Sequence, residues 1–114
     1  MPEEQTQSQL HRVRRLNDEL RQTLTGGQIM LTAGIKSLTD AEQTAVMRAV
    51  VQFNDFTPDN DPYGEHDFGL VTVGATKVMW KIDYYDLNLK YASADPSDPK
   101  ITNRVLTVML AEEY

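Results

Sequence analysis

Residues 68 to 84 have the sequence Phe68-Gly-Leu-Val-Thr-Val-Gly-Ala-Thr-Lys-Val-Met-Trp-Lys-Ile-Asp-Tyr84, whose alternation predicts a β-hairpin that decides the fold. Gly74-Ala75 suits a two-residue hairpin turn, in which glycine comes first because φ is positive there. The resulting register pairs Gly69 with Trp80, and Gly69 leaves room for the indole to lie across the neighbouring strand. The residues expected on the core face are Val71, Val73, Val78, Trp80, Ile82 and Tyr84.

The opposite face of the hairpin is expected to stay open and to form a partner surface. Met79, Lys81, Asp83 and Tyr85 alternate onto it. The same register places His66 beside Asp83.

Two amphipathic helices are predicted before the hairpin, with a short strand over residues 28–32 between them. The first helix covers residues 4–24, and Gly26-Gly27 is expected to end it as a glycine C-cap. Gly34 and Ser37 mark a turn. Thr39 and Glu42 have the spacing of a capping box, which starts a second helix that reaches about Phe53.

After the hairpin, the pattern predicts a third hairpin strand over residues 88–92 and then a loop. Asp98 and Pro99 are a strong helix start, so the last helix is expected to run from there to about residue 113. The predicted order is α-β-α-β-β-β-α, an α+β fold in which about three helices pack on one face of a mostly antiparallel sheet of about four strands. We expect one domain over residues 1–114, with residues 1–9 as a flexible extension.

The composition is that of a globular protein, with 40% hydrophobic and 25% charged residues in a chain of 114. The sequence contains no apolar run long enough to span a membrane, and it opens with Met-Pro-Glu-Glu-Gln rather than a signal sequence, so we expect a cytoplasmic protein. The absence of cysteine excludes disulfides, thiolate metal sites and cysteine nucleophiles, and it leaves the redox compartment open.

Negative charge is concentrated in one segment. The chain has a net charge of −6, and residues 49–76 carry −5 of it without any lysine or arginine. Residues 1–48 are neutral, with six acids and six bases. Such a segment repels phosphate backbones and attracts basic surfaces, so direct nucleic-acid binding through it is disfavoured.

The charge lies in a loop, Phe53-Asn-Asp-Phe-Thr-Pro-Asp-Asn-Asp-Pro-Tyr-Gly-Glu-His-Asp-Phe-Gly69. Prolines and glycines break regular structure there, and the aromatic residues supply apolar surface that pins the loop down. The expected partner-binding residues are Asp55, Asp59, Asp61, Tyr63, Glu65, Asp67, Asp83, Tyr85 and Asp86. Alternatively, some of these aspartates only cap the turns of their own loop.

A metal site is a second interpretation of the same loop. A calcium loop fails, because its twelfth position is Leu70. A looser set of Asp59, Asp61 and His66 would suit a divalent metal-dependent hydrolase, with His66 as general base oriented by Asp83. The sequence offers no nucleophile setting and no phosphate-binding glycine loop, so we expect no enzyme, no cofactor and a structural role for His66.

Three strings resemble a bacterial family known as domain of unknown function 3768. They are the loop quoted above, Trp80-Lys-Ile-Asp-Tyr-Tyr-Asp86 and Arg104-Val-Leu-Thr-Val-Met-Leu-Ala-Glu-Glu-Tyr114, and the resemblance covers about residues 16–114. The resemblance implies a setting on plasmids and integrative conjugative elements, often among genes suspected of blocking host defence.

Charge and resemblance together favour a small acidic binding protein without enzymatic activity. The leading hypothesis is a counter-defence inhibitor, anti-CRISPR or antirestriction, whose acidic loop mimics DNA on a basic nucleic-acid-binding surface of its target. The alternatives are the metal-dependent hydrolase and an antitoxin or immunity protein. The oligomeric state is left open.

Overall fold

The computed structural model describes residues 6–114. This part of the chain forms an α+β fold of three α-helices and four strands, which confirms the predicted fold class. In chain order the elements are α1 (Gln7–Thr23), β1 (Gln28–Leu31), α2 (Ala33–Lys36), α3 (Asp40–Gln52), β2 (Phe68–Val73), β3 (Thr76–Tyr85), β4 (Asn103–Leu110) and a final 3-10 turn (Ala111–Glu113).

The four strands form one mixed sheet in the order β1-β4-β3-β2. β1 runs parallel to β4, and the other two pairings are antiparallel. The predicted hairpin register is confirmed, since Gly69 lies opposite Trp80 and Val73 lies opposite Thr76.

The core lies between the helices and one face of the sheet. Trp80 is fully buried at its centre, with Leu20 of α1 and Val50 of α3 in the same cluster. The other predicted core-face residues also belong to this cluster or pack against it. Met79, Lys81, Asp83 and Tyr85 alternate onto the opposite face, as expected from the register.

The predicted C-terminal helix is wrong, because the segment forms β4, a central strand. Val105 and Val108 with Met109 have helical spacing, and this spacing suggested an amphipathic helix. In the sheet, however, β4 has a neighbour on each side, and its apolar residues are buried on both faces. A strand of this kind carries a nearly continuous apolar run, which periodicity alone does not separate from a helix.

The predicted strand over residues 88–92 is also wrong. A single bridge joins Tyr85 to Ala92, and the chain between them is a compact loop. One carboxylate oxygen of Asp86 accepts the backbone N–H groups of Asn88 at 3.1 Å and Lys90 at 3.0 Å. Side-chain capping by Asp86 therefore competes with extension of the strand.

Helix α1 starts and ends differently from the prediction. Thr6 is its N-cap and completes a capping box, and residues 7–9 of the expected flexible extension form the first turn of the helix. The rest of that expected extension, residues 1–5, lies outside the described residues. At the other end, Leu24 occupies the left-handed C-cap position with φ 58°, where a glycine was expected.

The segment between β1 and α3 contains a short helix where a turn was expected, and α2 covers Gly34. The start of α3 follows the prediction. Thr39 Oγ1 accepts the backbone N–H of Glu42 at 3.1 Å, and the Glu42 carboxylate accepts that of Thr39 at 2.9 Å. Within residues 6–114, no helix is long and apolar enough to cross a membrane.

We expect Gly69→Ala to destabilise the fold by about 1–3 kcal/mol, the usual cost of overpacking a core. A Cβ at residue 69 would lie 2.7 Å from Cε2 of Trp80, and the fully buried indole has little room to move. Urea unfolding followed by tryptophan fluorescence measures this. Thr72→Ala, at an exposed position of the same strand, serves as the control and should cost less than about 0.5 kcal/mol. Equal stability of the two variants would contradict the packing argument.

Candidate partner-binding site

The acidic loop, defined here as residues 53–67, is folded by its own polar groups. Asn60 Oδ1 accepts the backbone N–H of Thr57 at 2.8 Å, and Asn60 Nδ2 donates to the carbonyl of Asp55 at 2.8 Å. Further along, the N–H of Gly64 donates to the carbonyl of Asp61 at 3.1 Å. These local bonds give a fixed path to a segment without helix or strand.

Aromatic packing fastens the loop to the core, as the sequence predicts. The Phe53 ring meets Trp80 edge to face at a centroid distance of 5.5 Å. Phe56 packs against Phe53 and stacks on the imidazole of His66 at 3.8 Å. Both phenylalanines pack against the core cluster, so the loop is continuous with the interior.

Helix α1 holds both ends of the loop, and the sequence reasoning missed this role. At the start, the Arg21 guanidinium donates to the carbonyls of Val50 at 3.1 Å and Phe53 at 2.7 Å. At the end, Arg14 Nε donates to the carbonyl of Gly64 at 2.6 Å. A signal was available, because Asn17 and Arg21 interrupt the apolar stripe of α1 and are two of its four buried residues.

A buried hydrogen-bonded chain connects α1, the loop and two strands. Asn17 Nδ2 donates to the Glu65 carbonyl at 3.0 Å and to the Tyr84 hydroxyl at 2.8 Å. The Tyr84 hydroxyl donates to the Glu65 carboxylate at 2.6 Å, and Arg104 Nε donates to Asn17 Oδ1 at 2.9 Å. Arg104 also donates to the carbonyl of Pro96. Glu65 is therefore a structural connection between the loop and β3.

Burial changes the acidity of the groups in this chain. It raises the pKa of Tyr84, and the nearby negative charge of Glu65 adds to that effect. It lowers the pKa of Arg104, against the influence of Tyr84 and Glu65. The Tyr84 hydroxyl thus keeps its proton and acts as a donor.

His66 lies between two carboxylates that were not predicted as its partners. Its Nδ1 is 2.9 Å from Asp18 Oδ1, and its Nε2 is 3.6 Å from Asp61 Oδ2. The predicted pair with Asp83 is wrong, because Asp83 lies 2.5 Å from the ammonium of Lys81 instead. The chain turns at His66 with φ 57°, which removes this residue from the strand register used for the prediction.

The loop provides little support for a metal site. Asp61 and His66 meet, but Asp59 is exposed and forms no hydrogen bond or ion pair with either of them. Among residues 6–114, no group of three or more histidine or acidic side chains is placed to hold a metal ion.

The predicted partner-binding residues fall into sets that differ in exposure. The most exposed members are Asp55, Asp59 and Tyr63. The intermediate members are Asp67, Asp83, Tyr85 and Asp86. The remaining two are turned inward, with 6% of the side chain exposed for Asp61 and 8% of the residue exposed for Glu65. The accessible part of the acidic loop is therefore its outer turn, residues 55–63.

The negative charge of the segment is partly balanced by bases that are distant in sequence. Arg14 and Arg21 of α1 both bind backbone carbonyls at the ends of the loop. At the inner end, burial raises the pKa of Asp67 to about 6, and the carboxylates of Glu65, Asp61 and Asp83 add to the effect. The two arginines thus make the net charge around the loop less negative than the count of residues 49–76 implies.

Comparison with known proteins identifies a family. A family model described as a protein of unknown function (DUF3768) matches residues 31–113, more than half of the chain. The chain belongs to the DUF3768 family. The match starts later than the expected residue 16 and excludes α1, the helix that holds the loop in this DUF3768 protein. No curated protein and no solved structure matches the chain.

We expect Asn17→Ala to lower the free energy of unfolding by about 3 kcal/mol. The change removes two donated bonds and one accepted bond, so the Glu65 carbonyl and Arg104 Nε lose their partner and the Tyr84 hydroxyl keeps only its bond to the Glu65 carboxylate. Chemical denaturation measures the loss. Gln22→Ala, at an exposed position of the same helix, is the matched control and should change stability by less than about 0.5 kcal/mol. A loss below about 1 kcal/mol for Asn17→Ala would show that the network is not a major source of stability.

The raised pKa of Asp67 predicts a pH dependence of stability. Its pKa rises from 3.8 to about 6, so the folded state binds the proton more tightly than the unfolded chain. The stability that protonated Asp67 gives to the folded state is therefore fully present below pH 3.8 and is lost as the pH rises through about 6. The free energy of unfolding of Asp67→Asn, relative to that of wild type, should rise by about 1 kcal/mol from about pH 4.5 to about pH 7. The rise is smaller than the full pKa shift would give, because solvent screens part of the effect.

Urea unfolding of both proteins across this pH range isolates Asp67 from the other acids, which titrate in both. Gln22→Ala, at an exposed position without a titratable group, is a control that should leave the pH profile unchanged. Parallel profiles for wild type and Asp67→Asn would contradict the prediction.

Proposed function

We propose that this DUF3768 protein is a binding protein without enzymatic activity that presents its acidic loop to a basic surface of another protein. One observation carries the proposal. The loop is fixed from the inside by Arg14 and Asn17, while Asp55, Asp59 and Tyr63 point outward from its exposed turn. A loop that is already ordered loses less conformational entropy when it binds.

The exposed groups suit a basic target. The carboxylates of Asp55 and Asp59 attract arginine and lysine side chains and accelerate encounter at low salt. Tyr63, with 57% of its surface exposed, offers a rigid aromatic side chain in the same loop, and tyrosine is enriched among residues that dominate binding energy.

We propose that the target surface normally binds nucleic acid. Carboxylates on a fixed loop can occupy the positions of DNA phosphates in a positively charged groove. The resemblance described above favours an inhibitor of a restriction or CRISPR system, which acts in the cytoplasm. An antitoxin or immunity protein would use the same contacts on a basic toxin, and the identity of the target separates these cases.

A hydrolase has less support. Both ring nitrogens of His66 face carboxylates, and the ring is stacked on Phe56. These contacts favour a structural role for His66 over a role as general base.

Affinity capture from a bacterial lysate tests the proposal with the double variant Asp55→Asn, Asp59→Asn. We expect wild type to retain a basic nucleic-acid-binding protein, with less retained at physiological than at low salt and with displacement by duplex DNA. The double variant should bind that protein at least about tenfold more weakly.

The matched control is Asp40→Asn, Glu112→Gln, which removes the same charge from exposed positions outside the loop. It should bind as wild type does. Equal binding by wild type and the loop variant would contradict the proposed site. Simultaneous binding of DNA and this protein to the target would contradict the mimicry of DNA.

A further inference from the structure

Strand β2 has a free edge. It is the last strand in the order β1-β4-β3-β2, so only one of its sides is paired. The turn makes Val73 and Thr76 a hydrogen-bonded pair, and the N–H of Ile82 donates to the carbonyl of Asp67 at 2.9 Å. Backbone groups of the alternate residues, Phe68, Leu70 and Thr72, therefore point away from β3.

These outward groups have no partner within the described part of the chain. Outside the β2–β3 ladder, no hydrogen bond within residues 6–114 involves the N–H or carbonyl of Leu70, and this residue is 58% exposed. The strand Phe68–Val73 contains no charged residue and no proline, the usual devices that prevent an edge from pairing. The other edge of the sheet, β1, is only four residues long.

An apolar groove adjoins one end of this edge. It has a volume of about 430 Å³ and lies between α3 and the hairpin turn. Its walls include Ala41 and Ala45 of α3, whose small side chains leave the space, and Val73, the last residue of β2. An apolar side chain near the end of an added strand would bury itself there.

The other end of the edge is acidic. The acidic loop leads directly into β2, and Asp67 precedes its first residue. Asp83 lies on β3 two residues beyond Lys81, the partner of Phe68. Because Asp83 is paired with Lys81, the negative charge at this end comes from the acidic loop. A strand added beside β2 therefore passes from an apolar groove to the acidic loop, and this arrangement favours basic residues at the second end.

We propose that β2 binds an extended segment of the basic partner as an additional strand, which places an apolar residue in the groove and basic residues beside the acidic loop. This rests on the proposed function, since it names the contact that the same partner makes next to the loop. A second copy of this chain fits less well, because each copy has a net charge of −6.

The test uses the isotope-labelled full chain and a synthetic peptide that alternates lysine and valine. The peptide has about eight residues, which is long enough to pair along the six residues of β2. NMR measures hydrogen exchange of single amides with and without the peptide. The outward amides of Leu70 and Thr72 should exchange at least about tenfold more slowly with the peptide, and the paired amide of Val71 should change little. A peptide that alternates glutamate and valine should bind at least about tenfold more weakly.

Two variants separate the backbone contact from the side chain. Leu70→Pro removes the outward N–H, and edge strands tolerate proline where the N–H faces solvent. Leu70→Ala keeps that N–H and removes the exposed side chain. We expect the lysine–valine peptide to bind Leu70→Pro at least about tenfold more weakly than wild type, and Leu70→Ala within about threefold of it. The exchange measurement on wild type stands even if Leu70→Pro does not fold.

Several results would overturn the proposal. If the peptide slows exchange only in the acidic loop, β2 is excluded as the site of the added strand, and the proposed function is unaffected. If the amides of Leu70 and Thr72 exchange slowly without peptide, and their protection increases with protein concentration, the edge pairs with a second copy of the chain instead. No binding at about 1 mM peptide would also exclude β2 as the site of the added strand. The capture experiment with the Asp55→Asn, Asp59→Asn variant would then test the proposed function separately.

Discussion

The acidic loop depends on buried hydrogen bonds from one face of α1. Asn17 and Arg21 are 0% and 1% exposed, and each must satisfy several polar groups in the interior. Arg21 does so with the last carbonyls of α3, where the negative end of the helix dipole favours a cation, and its guanidinium lies 5.2 Å from the Trp80 ring centroid. A helix with the sequence pattern of an ordinary amphipathic surface helix therefore determines where α3 ends and how the loop begins.

The same bonds couple the loop to the sheet. Asn17 contacts the loop through the Glu65 carbonyl, and it contacts β3 and β4 through Tyr84 and Arg104. Loss of one member leaves buried polar atoms of its neighbours without that bond, and such networks are costly when they are incomplete. The position of the outer turn is consequently linked to the packing of the core, although that turn is itself exposed.

Local rules predicted the parts of the fold that local sequence determines. The register about Gly74-Ala75, the space left by Gly69 for Trp80 and the capping box at Thr39 all follow from neighbouring residues, and the structure contains them. β4 was missed because burial on both faces erases the alternation that identifies a strand. The network and the partners of His66 were missed because they join residues distant in sequence, and the pattern carries no direct record of such contacts.

Charge counted along the sequence therefore needs a geometric correction before it supports a binding argument. Of the carboxylates in the loop, Asp61 faces His66 and Glu65 accepts the Tyr84 hydroxyl, so both stabilise the fold. The outward field comes mainly from Asp55 and Asp59 on a turn braced by Asn60. Two carboxylates on a fixed frame bind more selectively than a larger number on a mobile tail, because their spacing must match the basic groups of the target. In the proposed complex, specificity would thus depend on the inward-facing polar residues that fix the frame as well as on the exposed acids.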